Sequence, residues 1–265
     1  MTSVRETIVA ANAEGRAALI GYLPAGYPTV KQSVELIERM ISCGVDVVEV
    51  GLPYSDPVMD GPTIQAAAVV ALAGGTRILD VFHVVEASAA MAPTVVMTYW
   101  NPVERFGVDR FAGRLAEAGG AGLITPDLIP EEAEEWMASA KQHHLDAIFL
   151  VAPSSTHERL KLTADACRGC VYATAVMGVT GAREQTSAAA PELVQRVKQV
   201  TELPVGVGLG VSNGRQAAEV ASYADAVIVG SAFVRCVTAA ADHDAALASM
   251  EALTRDLAGG VRREL

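Results

Sequence analysis

Three acids, Glu49, Asp56 and Asp60, fall within the stretch VEVGLPYSDPVMDGPTIQ, Val48 to Gln65. Glu49 sits in a run that otherwise reads as a buried strand. Glutamate is a poor strand residue and is costly to bury as an anion. Alternation puts Val45, Val47, Glu49 and Gly51 on one face of that strand, and Asp46, Val48 and Val50 on the other. If the first face lines an apolar interior, the Glu49 pKa rises toward the range useful in proton transfer. The competing reading is a glutamate paired to a buried arginine. Asp60 also has a plain alternative, because Asp-Gly-Pro-Thr resembles a helix start that Asp60 would cap. Two acids in different environments can instead divide acid and base roles.

The elements that would position these acids are legible around them. Helical periodicity appears in TVKQSVELIERMIS and PEEAEEWMASAKQHH, each followed by a small turn and a β-branched run. The strand candidates are Ala18–Leu23, Val45–Gly51, Thr94–Tyr99, Gly122–Thr125, Ala147–Val151, Val171–Thr174, Val205–Gly208 and Ala226–Gly230. Their nearly continuous apolar character signals burial on both faces, and strands separated by helices indicate a parallel sheet. The reading is a (β/α)8 barrel, one domain over residues 1–265, with an extra N-terminal helix. An open doubly wound sheet would usually carry G-x-G-x-x-G after its first strand, where this chain has PAGYPT. In a barrel, active residues belong at the C-terminal strand ends and in the loops that follow.

Bulk composition narrows the function classes. The 265 residues are 51% hydrophobic and 5% aromatic, with a formal net charge of −11. Such a charge disfavours nucleic acid or an anionic membrane as partner. A small anionic substrate is still compatible, held by backbone N–H groups. Cys167 and Cys170 form a C-x-x-C with no second ligand pair spaced to complete a zinc site, so no metal is expected and reduced thiols are. The N-terminal segment reads as an amphipathic helix, not a signal peptide, and no apolar run approaches the ~20 residues of a membrane span. A cytoplasmic protein is expected.

Later strand ends offer a different chemistry. AVMGVTGAREQTSAAAP is long for a loop at this face, where long loops are often lids. The seventh and eighth strands end in VGVGLGVSNG and AVIVGSAFV. Glycines there let backbone N–H groups approach an anion, short helix N-termini add a favourable dipole, and Ser231 offers a hydroxyl. A phosphate site in the last two loops is common in this fold.

With these residues assembled, the chain resembles the tryptophan synthase alpha-subunit family over essentially its whole length. The most specific piece is GLPYSDPVMDGPTIQ. Supporting pieces are GYLPAGYPT, MTYWNPV, PDLIPEE, GVTGAR, GLGVS and VGSAFV, in order. The resemblance implies a lyase that cleaves indole-3-glycerol phosphate to indole and glyceraldehyde 3-phosphate in tryptophan biosynthesis. It implies a beta-subunit partner in an α2β2 heterotetramer, an allosteric complex through which indole passes. It also implies no cofactor in this chain, since pyridoxal phosphate belongs to the beta subunit.

Carried over residue by residue, the resemblance makes Glu49 and Asp60 the catalytic pair. Tyr22, Met97, Tyr99, Ile124, Leu150, Tyr172 and Leu209 fall where the family places the indole lining. Gly181, Gly210, Gly230 and Ser231 would hold phosphate, and Thr180 would steady the loop near Asp60. Pro53, Asp56, Asp127 and Pro130 match positions near the subunit boundary. A sugar-phosphate isomerase shares the general features but not the SDPVMDGP loop. An inactive activator of a beta subunit would keep the fold without Glu49 or Asp60.

Overall fold

The structure is a computed structural model that describes residues 3–174, 189–208 and 210–262. In chain order the elements are α1 (Val4–Ala13), β1 (Ala18–Pro24), α2 (Val30–Ser42), β2 (Val47–Gly51), α3 (Pro62–Ala73), α4 (Ile78–Ala89), β3 (Thr94–Met97), α5 (Trp100–Phe106) and α6 (Val108–Glu117). They continue with β4 (Gly122–Ile124), α7 (Glu134–Gln142), β5 (Asp146–Ile148), β6 (Leu150–Val151), α8 (His157–Ala166), β7 (Val171–Thr174), α9 (Ala189–Lys198), β8 (Val205–Gly208), α10 (Gly214–Ala221), β9 (Ala226–Val229), α11 (Ser231–Thr238) and α12 (His243–Gly260).

Every strand pairing is parallel, in the order β5-β4-β3-β2-β1-β9-β8-β7-β6. The two outermost strands, β5 and β6, are halves of one expected strand separated by Phe149 alone, so the ring closes through the chain itself. The break arises because the Phe149 N–H turns to the Cys167 sulfur, at 3.4 Å, while its carbonyl accepts the Tyr172 N–H at 3.2 Å. Four other expected strands are shorter than read, β4 and β9 by one residue and β2 and β3 by two. Val45 donates its N–H to the Met40 carbonyl at the end of α2, so β2 starts at Val47. Tyr99 is the N-cap of α5 and leaves β3 to end at Met97.

Two apolar layers follow from strand alternation. Leu19, Leu23, Val48, Val50, Val96 and Val207 pack outward against the helices. Ala18, Ile20, Val47, Val95, Ile124, Ile148, Cys170 and Ile228 form the barrel interior. Val4, Ile8 and Ala11 of α1 join this inner cluster, so the N-terminal helix covers the barrel's lower end. A capping box starts that helix, with Ser3 Oγ accepting from Glu6 N and the Glu6 carboxylate accepting from Ser3 N. Cys167 and Cys170 are buried free thiols, and desolvation pushes Cys167 up to about 12.

Candidate active site

Glu49 lies one step beyond Val47 on the inward face of β2, level with Tyr22 of β1 and Val95 of β3. Its exposure is 1%, and among the described residues its Oε2 has no hydrogen-bond partner. Burial, reinforced by the charge of Asp60, pushes its carboxyl up to about 8. Desolvation disfavours the anion, and no cation among the described residues offsets it. The arginine of the competing reading exists, but it serves a neighbour. Arg16 makes a two-pronged contact to Asp46, at 2.7 and 2.9 Å, at the opposite end of the barrel.

Asp60 approaches from the loop after β2. It does not cap α3: Gly61 is the N-cap, without a side-chain cap bond, and Pro62 opens the helix. The Asp60 carboxyl instead feels the Tyr99 hydroxyl. Burial raises its pKa, and that hydroxyl opposes the rise. The Tyr99 oxygen also accepts the backbone N–H groups of Met59, at 3.0 Å, and of Asp60, at 3.1 Å. Tyr54 stacks on Tyr99 at a tilt, centroids 5.4 Å apart, and its hydroxyl accepts from Asn101 Nδ2 at 2.9 Å. Tyr54 and Asn101 carried no signal in the sequence beyond membership of PYSDP and MTYWNPV.

Around the acids stand two further tyrosines. Tyr22 and Tyr172 are both pushed well above the ordinary phenol range, first by burial, and both feel the charges of Glu49 and Asp60. Tyr22 fills the space left by two glycines. A Cβ at Gly51 would collide with its hydroxyl, and one at Gly230 would stand 3.3 Å from its ring. Tyr172 likewise lies over Gly208, where a Cβ would be 2.6 Å from the hydroxyl. These strand-end glycines thus make room for aromatic side chains in the mouth. Met97, Ile124 and Leu150 belong to the inner apolar cluster beneath.

The remaining expected residues divide by location. Ser231, buried, opens α11 with Gly230 as an N-cap that offers no side-chain bond, so its first-turn N–H groups have no side-chain cap from that residue. Gly210 holds a left-handed φ of +80° after β8. Thr180, Gly181 and Leu209 lie outside the described residues. Of the expected boundary residues, Asp56 is exposed and Pro53 is buried within the chain. Pro130 opens a single 3₁₀ turn, and Asp127 accepts the Trp100 N–H at 2.9 and 3.2 Å. Two large apolar side chains on the same loops escaped the sequence reading: Val58, 71% exposed, and Ile129, 46% exposed. Among the described residues no group of His, Cys, Asp and Glu could hold a metal ion.

A closed parallel barrel with a desolvated glutamic acid and a second, looped carboxyl at the C-terminal strand ends defines a (β/α)8-barrel enzyme equipped for acid–base chemistry. Comparison with known proteins makes this specific. Residues 8–262 match the family model described as "Tryptophan synthase alpha chain". The tryptophan synthase alpha chain of Acidothermus cellulolyticus is 60% identical over 99% of this chain and 98% of its own length. That of Salinispora arenicola is 61% identical over 95% of each. A solved tryptophan synthase structure from Mycobacterium tuberculosis superposes with a TM-score of 0.92 at 56% identity, covering 100% of both chains. The chain belongs to the tryptophan synthase alpha chain family. It is a carbon–carbon lyase of tryptophan biosynthesis, cleaving indole-3-glycerol phosphate to indole and glyceraldehyde 3-phosphate.

Proposed function

We propose that Glu49 moves the protons of this cleavage and that Asp60 stabilises the charge it generates. The reaction is a retro-aldol. Indole C3 gains a proton, the ring nitrogen becomes cationic, and the glycerol hydroxyl next to the breaking bond loses its proton. Glu49, held neutral near neutral pH by burial, protonates C3. The carboxylate so formed takes the hydroxyl proton as the C–C bond breaks, which returns Glu49 to its starting state. Asp60 remains ionised and accepts a hydrogen bond from the indole N–H. Its negative charge counters the positive charge on the ring, an interaction stronger in the transition state than in the ground state.

The observation that carries this reading is the desolvated Glu49 carboxyl, whose Oε2 has no partner among the described residues and whose pKa burial pushes up to about 8, beside a second acid in the barrel mouth. Tyr22, Met97, Ile124, Leu150 and Tyr172, with Leu209, would enclose the ring. Phosphate would rest on the Gly210 loop and the N-terminus of α11 at Gly230 and Ser231, joined by Gly181, with Thr180 bracing the loop near Asp60. The test is indole release from indole-3-glycerol phosphate by purified Glu49→Gln and Asp60→Asn. Each should lose at least about 100-fold in kcat with the fold retained. Turnover at the unsubstituted rate by either would remove its role.

A beta-subunit partner follows from the family. We assign its docking face to the mouth loops that carry Val58, Asp56 and Pro53 after β2 and Asp127, Ile129 and Pro130 after β4, in an α2β2 assembly that receives the indole. The pyridoxal phosphate of that assembly would sit in the partner. The lysines of this chain, Lys31, Lys141, Lys161 and Lys198, all lie on outer helices, away from strand ends where a Schiff base would form. A cytoplasmic setting fits the free cysteines, and no single helix among the described residues is long and apolar enough to cross a membrane.

A further inference from the structure

We infer that Tyr99 is a positioning residue for Asp60, and that Asp127 acts on Asp60 through it by fixing the turn from which Tyr99 projects. This inference rests on the role proposed above for Asp60.

Two contacts made by one phenol oxygen carry it. The Tyr99 hydroxyl receives the N–H groups of Met59 and Asp60, at 3.0 and 3.1 Å, and the same hydroxyl lowers the pKa of the Asp60 carboxyl. Backbone and side chain of Asp60 are therefore referred to the same atom. The Asp60 carbonyl accepts from Gln65 Nε2 at 2.7 Å. The loop is proline-rich but has no regular structure of its own between Leu52 and Gly61. Such a loop holds a carboxylate to catalytic tolerance only through links to a rigid element.

The rigid element is the junction of β3 and α5. Tyr99 is the N-cap of α5, but its side chain faces the loop and leaves the helix N-terminus without a side-chain cap. Asp127, from the loop after β4, supplies that cap, with both carboxylate oxygens on the Trp100 N–H. The adjacent residue, Asn101, donates to Tyr54, whose ring lies on Tyr99. Asp127 thus anchors the peptide next to Tyr99 from one side, and Tyr54 braces the ring from the other. Asp127 is exposed and lies on the loop assigned to the partner, so a contact there would be felt at Asp60 through this turn.

The inference gives Tyr99 a role different from lining the indole slot, and the two separate in kinetics. Among the described residues, the titratable groups that interact with Asp60 are Glu49 of β2, Tyr22 of β1, Tyr172 of β7 and Tyr99 itself. Of these, only Tyr99 holds the Asp60 pKa down. Removing its hydroxyl should therefore raise that pKa and move the acid limb of the kcat–pH profile to higher pH.

The experiment measures kcat, KM and the pH profile of indole-3-glycerol phosphate cleavage by the full chain, alone and with a beta subunit. The variants are Tyr99→Phe, Asp127→Ala, their double variant, and Asp60→Asn. Tyr99→Phe should lower kcat about 10- to 100-fold with KM within about threefold, and shift the acid limb upward. Asp127→Ala should lower kcat less. The double variant should be no slower than Tyr99→Phe, because Asp127 has no route to Asp60 once the hydroxyl is gone. A raised KM with unchanged kcat and acid limb in Tyr99→Phe would leave it a slot residue and overturn the inference, as would multiplicative losses in the double variant. Should Asp60→Asn keep full turnover, the reading of Asp60 fails first and this one with it. An inactive Asp60→Asn beside an unaltered Tyr99→Phe overturns positioning alone.

Discussion

Asp46 and Glu49 stand three residues apart, one just before the second strand and the other within it, and the barrel treats them differently. At the lower end Asp46 receives Arg16 through two nitrogens and the Leu19 N–H at 2.8 Å. At the upper end Glu49 is more deeply buried, and one of its oxygens has no partner among the described residues. The same chemical group is neutralised by a cation in one place and left to hold its own proton in the other. A carboxylate with its bonds satisfied staples β2 to the segment before β1. A carboxylic acid without them is unstable as an anion and therefore ready to exchange a proton near neutral pH. The difference separates a face that holds the barrel closed from a face that does chemistry, as expected of the two ends of this fold.

Substitutions at each end should expose that division. The largest effect is expected for Glu49→Gln, which should abolish turnover yet leave the protein as stable or more stable at alkaline pH. The Glu49 pKa is raised on folding, from 4.5 to about 8, so the folded state binds the extra proton in that window. The stability this group contributes is full below about pH 4.5 and is lost as pH rises through about 8. Glu49→Gln should flatten that decline, measured by denaturant unfolding between pH 5 and 9. An unchanged slope would show that the glutamate is not desolvated.

The mirror-image change is Arg16→Met at the lower end. It should cost about 3 kcal/mol in unfolding free energy, because Asp46 is left largely buried without its cation. Its kcat for indole release should stay within about threefold, since α1 and β1 separate Arg16 from the mouth. A large kcat loss without loss of stability would erase the division between the two ends. The smallest effect concerns Thr29, whose side chain accepts the Gln32 N–H at 3.2 Å and caps α2 on the upper side. Thr29→Ala should cost about 1 kcal/mol in a thermal or denaturant melt and leave the pH slope contributed by Glu49 in place.

Much of this arrangement was legible in advance for identifiable reasons. Continuous apolar runs at helix-sized intervals allow little but a parallel sheet, so strands such as Val171–Thr174 and Val205–Gly208 were bounded to the residue. Strand alternation put Glu49 on the same face as Val47, and the structure shows that face to be the inward one. The split of the fifth strand at Phe149 was not legible, because it depends on a sulfur eighteen residues away. Taken alone, Asp60 read as a helix cap, and only the second acid one strand end away and the family signature weighed against that. Only the position of Tyr99, thirty-nine residues further on, takes its side chain away from α3. The strand-end glycines were read as openings for an anion. Gly51, Gly208 and Gly230 also make room for Tyr22 and Tyr172, which no local pattern relates to them.

By itself, then, the sequence determined the class of architecture, the family, and which face of the second strand carries an acid. These follow from local regularities: alternation, helical spacing and a contiguous signature. Tertiary structure alone decided which carboxylate meets an arginine, which keeps its proton, and which phenol holds the loop acid in place. Those outcomes depend on desolvation and on contacts between residues far apart in the chain, and both come into being only when the barrel closes.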